Sequence, residues 1–222
     1  MSDTVKSNSG ASTTRADRAR LTRRRIIDAA AELFLERGYG ATMLDQVAQR
    51  AGVAVQTVYF HFGNKATLLK HALDVAAVGD DEPVALLERP WMDHVKAETD
   101  PIRMIELWMA NSRSIMGRVA PILNVIRGTI GAEPDLAAQW DLNEQQRRTA
   151  FDALAQILAD RGVLRTGLSR EDAADLAFLI SSVEGYFLAT GTLGWSPEHW
   201  ERTTVSMLTC ALLGTQAVGL PS

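Results

Sequence analysis

The chain has 222 residues, 46% apolar and 23% charged, enough to bury a sizeable core, so disorder throughout is excluded. A single cysteine, Cys210, excludes an internal disulfide framework or a cysteine-based zinc site. The formal charge of −4 hides an asymmetry: residues 1–70 hold 11 Lys and Arg against 6 Asp and Glu, and residues 71–222 hold 12 against 21, so a basic front suited to a polyanion precedes an acidic remainder.

The opening "MSDTVKSNSGASTT" lacks the apolar stretch of a secretory signal. The most apolar region, near residues 173–195, contains Asp175 and Glu184, which argues against a membrane span. A cytoplasmic protein is expected. Residues 1–20 are Ser/Thr-rich, then Arg-rich and aperiodic, and read as a flexible basic arm. In "LTRRRIIDAAAELFLERGYG", Ile26, Ile27, Ala30, Leu33 and Phe34 recur at helical spacing. Thr22 is the expected cap and Gly38 the expected stop. Arg23, Arg24 and Arg25 then fall in the first turn, where the helix dipole disfavours positive charge unless an anion lies nearby.

"TMLDQVAQRAG" follows, with Thr42 and Asp45 in a capping pattern and Gly52 as terminator. "VAVQTVYFHF" adds two more turns. Two short helices joined at a glycine and packed on a longer first helix make a helix-turn-helix pattern. Taking residues 54–61 as helix, Val58 and Phe62 face inward. Val55, Gln56, Thr57 and Phe60 are left to face a major groove, where Gln pairs with adenine and Thr or apolar groups meet the thymine methyl. Tyr59 and His61 flank them as phosphate donors. Lys65 sits in the first turn of a helix capped by Asn64, where its charge and the free amides favour an anion. Phe62 reads as core, and one or two of the three arginines as DNA contacts.

From Asn64 onward the pattern is all-α, with no strand alternation and no internal repeat. "GDDEPVALLERP" reads as a linker with one possible turn. Asp100-Pro101 opens a helix expected to end near Gly117, followed by a short one over 120–130. Glu133-Pro134 opens a long helix to Gly162, Ser169 and Asp172 one to about Thr190, and Ser196-Pro197 the last, to about Gly214.

Residues 29–69, "AAAELFLERGYGATMLDQVAQRAGVAVQTVYFHFGNKATLL", resemble the TetR family of transcriptional regulators. The likeness runs through Phe34, Gly38, Tyr39, Thr42, Val47-Ala48, Ala51-Gly52-Val53, Thr57, Tyr59, Phe62, Lys65 and Leu68. The resemblance implies an N-terminal three-helix helix-turn-helix domain and a C-terminal helical core that binds a small effector. It also implies a homodimer on a palindromic operator, most often as a repressor. Ala54 departs from the serine common at the start of the recognition helix, which removes a cap of about 1 kcal/mol. The C-terminal two thirds match only in layout. The expected division is an arm at 1–20, a DNA-binding domain at 21–67 and an effector-binding and dimerisation domain at 68–222.

The expected DNA contacts are Arg23, Arg24, Thr42, Val55, Gln56, Thr57, Tyr59, Phe60, His61 and Lys65. An apolar effector would meet Trp91, Met104, Trp108, Met109, Met116 and Trp140, with Asn111 as a polar partner, because aromatics and methionines line adaptable cavities. The same residues at helical spacing also read as plain core. Leu176, Phe178, Leu179, Val183, Phe187, Leu188, Trp200, Met207, Leu208 and Leu212 put apolar groups on two sides of the last helices. One side would pack inward and the other against a second copy. No metal or cofactor is expected. The histidines at 61, 71, 94 and 199 are scattered, and no metalloprotease, phosphate-loop, dinucleotide or nucleophile motif occurs. An enzyme or small-molecule-binding protein with a secondary DNA role is the alternative, and a nonspecific DNA-coating protein a third, disfavoured by the acidic remainder.

Overall fold

The computed structural model describes residues 14–79, 85–131 and 133–213. Among them every regular element is helical. The first helix, α1 (Arg15–Ala41), begins five to six residues before the expected arm ends. Its cap is Thr14, not Thr22. The Thr14 hydroxyl accepts from the Asp17 amide at 3.1 Å and Asp17 returns a carboxylate to the Thr14 amide at 2.9 Å. This reciprocal box satisfies two orphan amides. Residues 15–20 of the expected arm are therefore helix, Thr14 is their cap, and residues 1–13 lie outside the described residues. The arginine triplet falls two turns inside α1, so it is not set against the dipole's positive end. Gly38 breaks the helix with φ +78° and ψ 168°.

Helix α2 (Leu44–Ala51) ends on Gly52, whose φ of 64° and ψ of 42° is the left-handed cap that glycine adopts without a Cβ penalty. Helix α3 (Val55–Phe62) starts at Ala54 with no side-chain cap and stops at Gly63, φ 71°. Helix α4 (Lys65–Val78) is capped by Asn64, whose side chain accepts from the Thr67 amide at 2.8 Å. Ile26, Ile27, Leu33, Phe34, Val58, Phe62, Leu68, Leu69 and Leu73 close one core between these four helices. Burying each such side chain is worth about 1.5–3 kcal/mol.

A single 3-10 turn (Leu86–Glu88) leads to α5 (Pro90–Ala97). Helix α6 (Pro101–Arg127) runs unbroken where a stop near Gly117 and a separate helix were expected. Pro121 lies inside it on the exposed side, as does Gly117. Water can therefore satisfy the carbonyl that the missing proline N–H leaves free, and Val119, Ala120, Ile122 and Leu123 keep the segment packed. Helix α7 (Pro134–Asp160) follows as expected. Helix α8 (Arg170–Ile180) is shorter than expected. Ser182 recaps the chain by accepting from the Gly185 amide at 3.1 Å, starting α9 (Val183–Phe187), and a π-helical turn (Leu188–Thr192) follows. Helix α10 (Pro197–Leu213) is the last.

Helix α6 is the axle, touching α1, α4, α5, α7, α9 and α10. Arg118 on α6 donates to the Ala76 and Ala77 carbonyls at 2.8 and 3.1 Å, fastening the C-terminal end of α4 to the core. Arg170–Thr192 is long and apolar enough to cross a membrane by composition, but here it is bent, and its α8 part packs against α7 and α10.

Candidate nucleic-acid interface and effector region

The inward side of α3 is Val58 and Phe62, both buried. Turned the other way are Gln56, Tyr59 and Phe60, three residues at i, i+3 and i+4 that share one exposed face. Phe60 is 85% exposed and Tyr59 53%. An aromatic that far into water gains nothing from burial within the protomer. Val55 and Thr57 are half-buried, and Val55 leans on the core. His61 is half-buried, with its ring 5.2 Å from that of Phe60 and 6.1 Å from that of Phe62.

The face is held at fixed pitch by polar clamps. Arg25 of α1 donates to the Ala51 carbonyl and, at 3.4 Å, to that of Gly52, closing the C-terminal end of α2 at the turn before α3. Arg23 places Nη2 3.1 Å from both ring nitrogens of His71 on α4, and its guanidinium lies 5.1 Å over the Phe62 ring. His71 also meets Phe62 edge-on at 5.5 Å. Burial, then the Arg23 charge, pushes the His71 pKa down, against a smaller opposing pull from Asp74.

Several expected DNA contacts have other work here. Thr42 is only 1% exposed, and its hydroxyl donates to the Gly38 carbonyl at 2.8 Å and the Leu33 carbonyl at 3.2 Å. It closes the break at Gly38 and presents nothing outward. The expected Thr42–Asp45 box does not form: Met43 occupies the cap position and its amide donates to Gln46 at 3.2 Å. Lys65 donates Nζ to the Tyr39 carbonyl at 2.7 Å and lies 4.2 Å over the Tyr39 ring, tying the start of α4 to the end of α1. Its ammonium keeps two further donors. Arg24 pairs with Asp28 at 2.8 Å on the surface. Arg25 and His71, absent from the expected contacts, are the clamps that sequence patterning missed. Their roles depend on partners 26 and 48 residues away.

In the C-terminal domain Met104, Trp108, Met109 and Met116 are buried on α6. Trp91 is half-buried, donates its indole N–H to the Leu86 carbonyl at 2.9 Å and meets Trp108 edge-on at 5.1 Å. Trp108 continues to Phe151 of α7 at 6.2 Å. Asn111 and Trp140 are half-buried. All of the expected effector residues but Asn111 belong to one packed core. A separate groove of about 410 Å³, open to solvent, is lined by Arg165, Gly167, Leu168, Asp172, Asp175, Leu176 and Leu179, and includes none of the expected effector residues. Of the apolar residues on the last helices, Val183, Trp200, Leu208 and Leu212 are inside the protomer, whereas Leu179, Leu188 and Met207 are exposed. Among the described residues no group of three or more His, Cys, Asp or Glu converges to hold a metal ion.

Residues 26–72 match the family model described as bacterial regulatory proteins, tetR family. The chain is 38% identical over 94 residues to the HTH-type transcriptional regulator TtgW of Pseudomonas putida, covering 39% of this chain and 67% of that protein. It is 28% identical over 172 residues to the HTH-type transcriptional repressor BepR of Brucella suis, covering 74% and 78%. Among solved structures, the transcriptional regulator FadR of Bacillus subtilis, in complex with stearoyl-CoA, superposes with a TM-score of 0.62 at 19% identity, covering 86% of this chain and 98% of that one.

Proposed function

The chain belongs to the TetR family of bacterial regulatory proteins, helical transcriptional regulators with an N-terminal helix-turn-helix, and from that premise we propose that it is a repressor released from a palindromic operator by a small, largely apolar effector. The carrying observation is the Gln56, Tyr59 and Phe60 face, exposed on a helix whose other side is locked into the core. Gln56 supplies the base-edge donor and acceptor, Phe60 the apolar contact to a thymine methyl, and Tyr59 a phosphate donor. Thr57, Val55 and His61 frame the face, and the free donors of Lys65 and the surface guanidinium of Arg24 reach phosphates beside it.

The reading domain is taken as residues 21–67 and the effector and dimerisation domain as 68–222, the cut falling inside α4. That helix is the lever. Lys65 ties its first turn to α1, His71 ties its middle to Arg23 and Phe62, and Arg118 ties its end to α6. An effector entering among Trp91, Met104, Trp108, Met109, Asn111, Met116 and Trp140 must part a packed cluster. It shifts α6 and thereby α4, and operator affinity falls by the difference in effector affinity between the two states. The stearoyl-CoA bound to FadR has a long apolar chain, a chemical class that this methionine- and tryptophan-rich cluster suits. The protein acts in the cytoplasm, and the relatives being transcriptional regulators supports a non-enzymatic role. A homodimer forms through the exposed side of α8–α10. Genome-wide selection of bound DNA fragments tests the reading: one enriched palindrome supports it, and sequence-independent recovery overturns it.

A further inference from the structure

We propose that the N-terminal overhang of α1 is a second DNA contact, in which Arg15 and Arg18 grip phosphates outside the base-reading segment; the inference rests on the DNA-binding reading above. Residues Arg15–Leu21 form about two helical turns in which every residue is exposed. A turn and more of helix that packs on nothing draws no stability from tertiary burial. It is nevertheless held helical from its first residue by the Thr14–Asp17 box.

Charge singles out the partner. Between residues 15 and 25 there are six arginines and one acid, Asp17. That local excess of five equals the whole excess of residues 1–70, while residues 71–222 are strongly acidic. The single acid is turned to the helix start, its carboxylate bound by the Thr14 amide and hydroxyl. Arg23 and Arg25 are held in internal clamps, and Arg24, paired with Asp28 at the surface, is already placed beside the recognition face. Neither Arg15 nor Arg18 has a side-chain partner among the described residues.

Position completes the argument. Arg15, Arg18, Thr22 and Arg25 are spaced i, i+3, i+7 and i+10, one stripe along α1. At the inner end of the stripe Arg25 holds the turn that aims α3. Arg15 and Arg18 therefore continue outward on the side where the recognition helix is mounted. At 1.5 Å per residue they lie roughly 10–15 Å along α1 from that clamp, about the length of three to four base pairs. A duplex seated on α3 presents a phosphate row at that reach, and flanking phosphates need no particular sequence.

The test uses the full chain and two duplexes. One carries the palindrome recovered by fragment selection with about ten base pairs of flank on each side, and the other carries the palindrome alone. The variants are Arg15→Gln/Arg18→Gln and Arg15→Lys/Arg18→Lys, with helix content checked by circular dichroism. On the flanked duplex the glutamine variant should flatten the slope of log affinity against log salt by about 1.8 per bound subunit, since each lost phosphate contact removes about 0.9. Per bound subunit the wild type then loses about twelvefold more affinity than the variant between roughly 50 and 200 mM salt, and about 150-fold more for a dimer on the palindrome. The lysine variant should restore the slope, and the unflanked duplex should erase the difference. Equal slopes for wild type and glutamine variant on the flanked duplex overturn the overhang contact alone. A wild type that selects no duplex overturns the DNA-binding reading and this inference with it.

Discussion

Lys65 shows how one side chain can hold two meanings. The sequence places it as a phosphate donor, while the fold shows it bonded to the Tyr39 carbonyl and seated over that ring. Both roles are compatible, because an ammonium has three donors and only one is used here. Lys65→Ala should therefore weaken operator binding with a salt slope lower by about 0.9 per bound subunit and also cost about 1 kcal/mol of stability. Binding titrations over salt, paired with urea unfolding, separate the two effects. At Gly52 both backbone conformation and space are restricted. An added Cβ would sit at φ +64° and 3.1 Å from the Arg25 guanidinium. Gly52→Ala should cost about 1–2 kcal/mol and loosen the clamp, measurable as a lower unfolding midpoint. His71 gives the pH dependence its sign. Its pKa is depressed in the fold by burial and Arg23, so the unfolded state binds the proton first. Stability is full above the ordinary value of 6.5 and falls as the pH drops below it, down to the folded pKa. His71→Gln should flatten that limb of a stability-against-pH curve.

Among the elements, α3 is short, and its start has no side-chain cap. Ala54→Ser should supply the missing acceptor to the first turn and stabilise the protein by about 1 kcal/mol, read as a higher urea midpoint with unchanged m-value. The helix-turn-helix was legible because its signals are local: Gly52 and Gly63 at positive φ, Asn64 as a cap, and Val58 and Phe62 one helical turn apart. The longer helices were less so. Gly117 reads as a stop, yet exposure of that side of α6 lets the helix continue, even through Pro121. The break after Ile180 depends on Ser182 forming a fresh cap inside an apolar run, a choice made by packing against α6 and α10. Thr42 misled because the capping pattern with Asp45 fits local spacing, while the break at Gly38 takes its hydroxyl. Sequence spacing puts the start of the first helix late because Arg-rich, aperiodic residues have no buried face to reveal it. Of the expected effector residues, Met104, Trp108, Met109, Asn111 and Met116 lie on α6, Trp91 on α5 and Trp140 on α7; helical spacing alone does not separate side chains that pack from those that line a site.

Across the whole molecule, α4 joins the helix-turn-helix to the helical core and is pinned at its first turn, its middle and its end. The exposed Leu179, Leu188 and Met207 are the side that a second copy would cover. Leu179 is 67% exposed, so Leu179→Glu should leave the protomer folded while abolishing the dimer in sedimentation. Operator affinity should then fall steeply, since each half-site would be bound alone. On the proposed function the Gln56, Tyr59 and Phe60 face reads sequence in pairs. Its most direct test is selection of duplexes from a random pool by the wild type and by Gln56→Ala. The account predicts a palindrome with half-site centres about 34–36 Å apart for the wild type, and relaxed choice at one symmetric base pair, worth about 1–3 kcal/mol, for the variant. An identical enriched sequence for both proteins, or no enrichment for either, contradicts it.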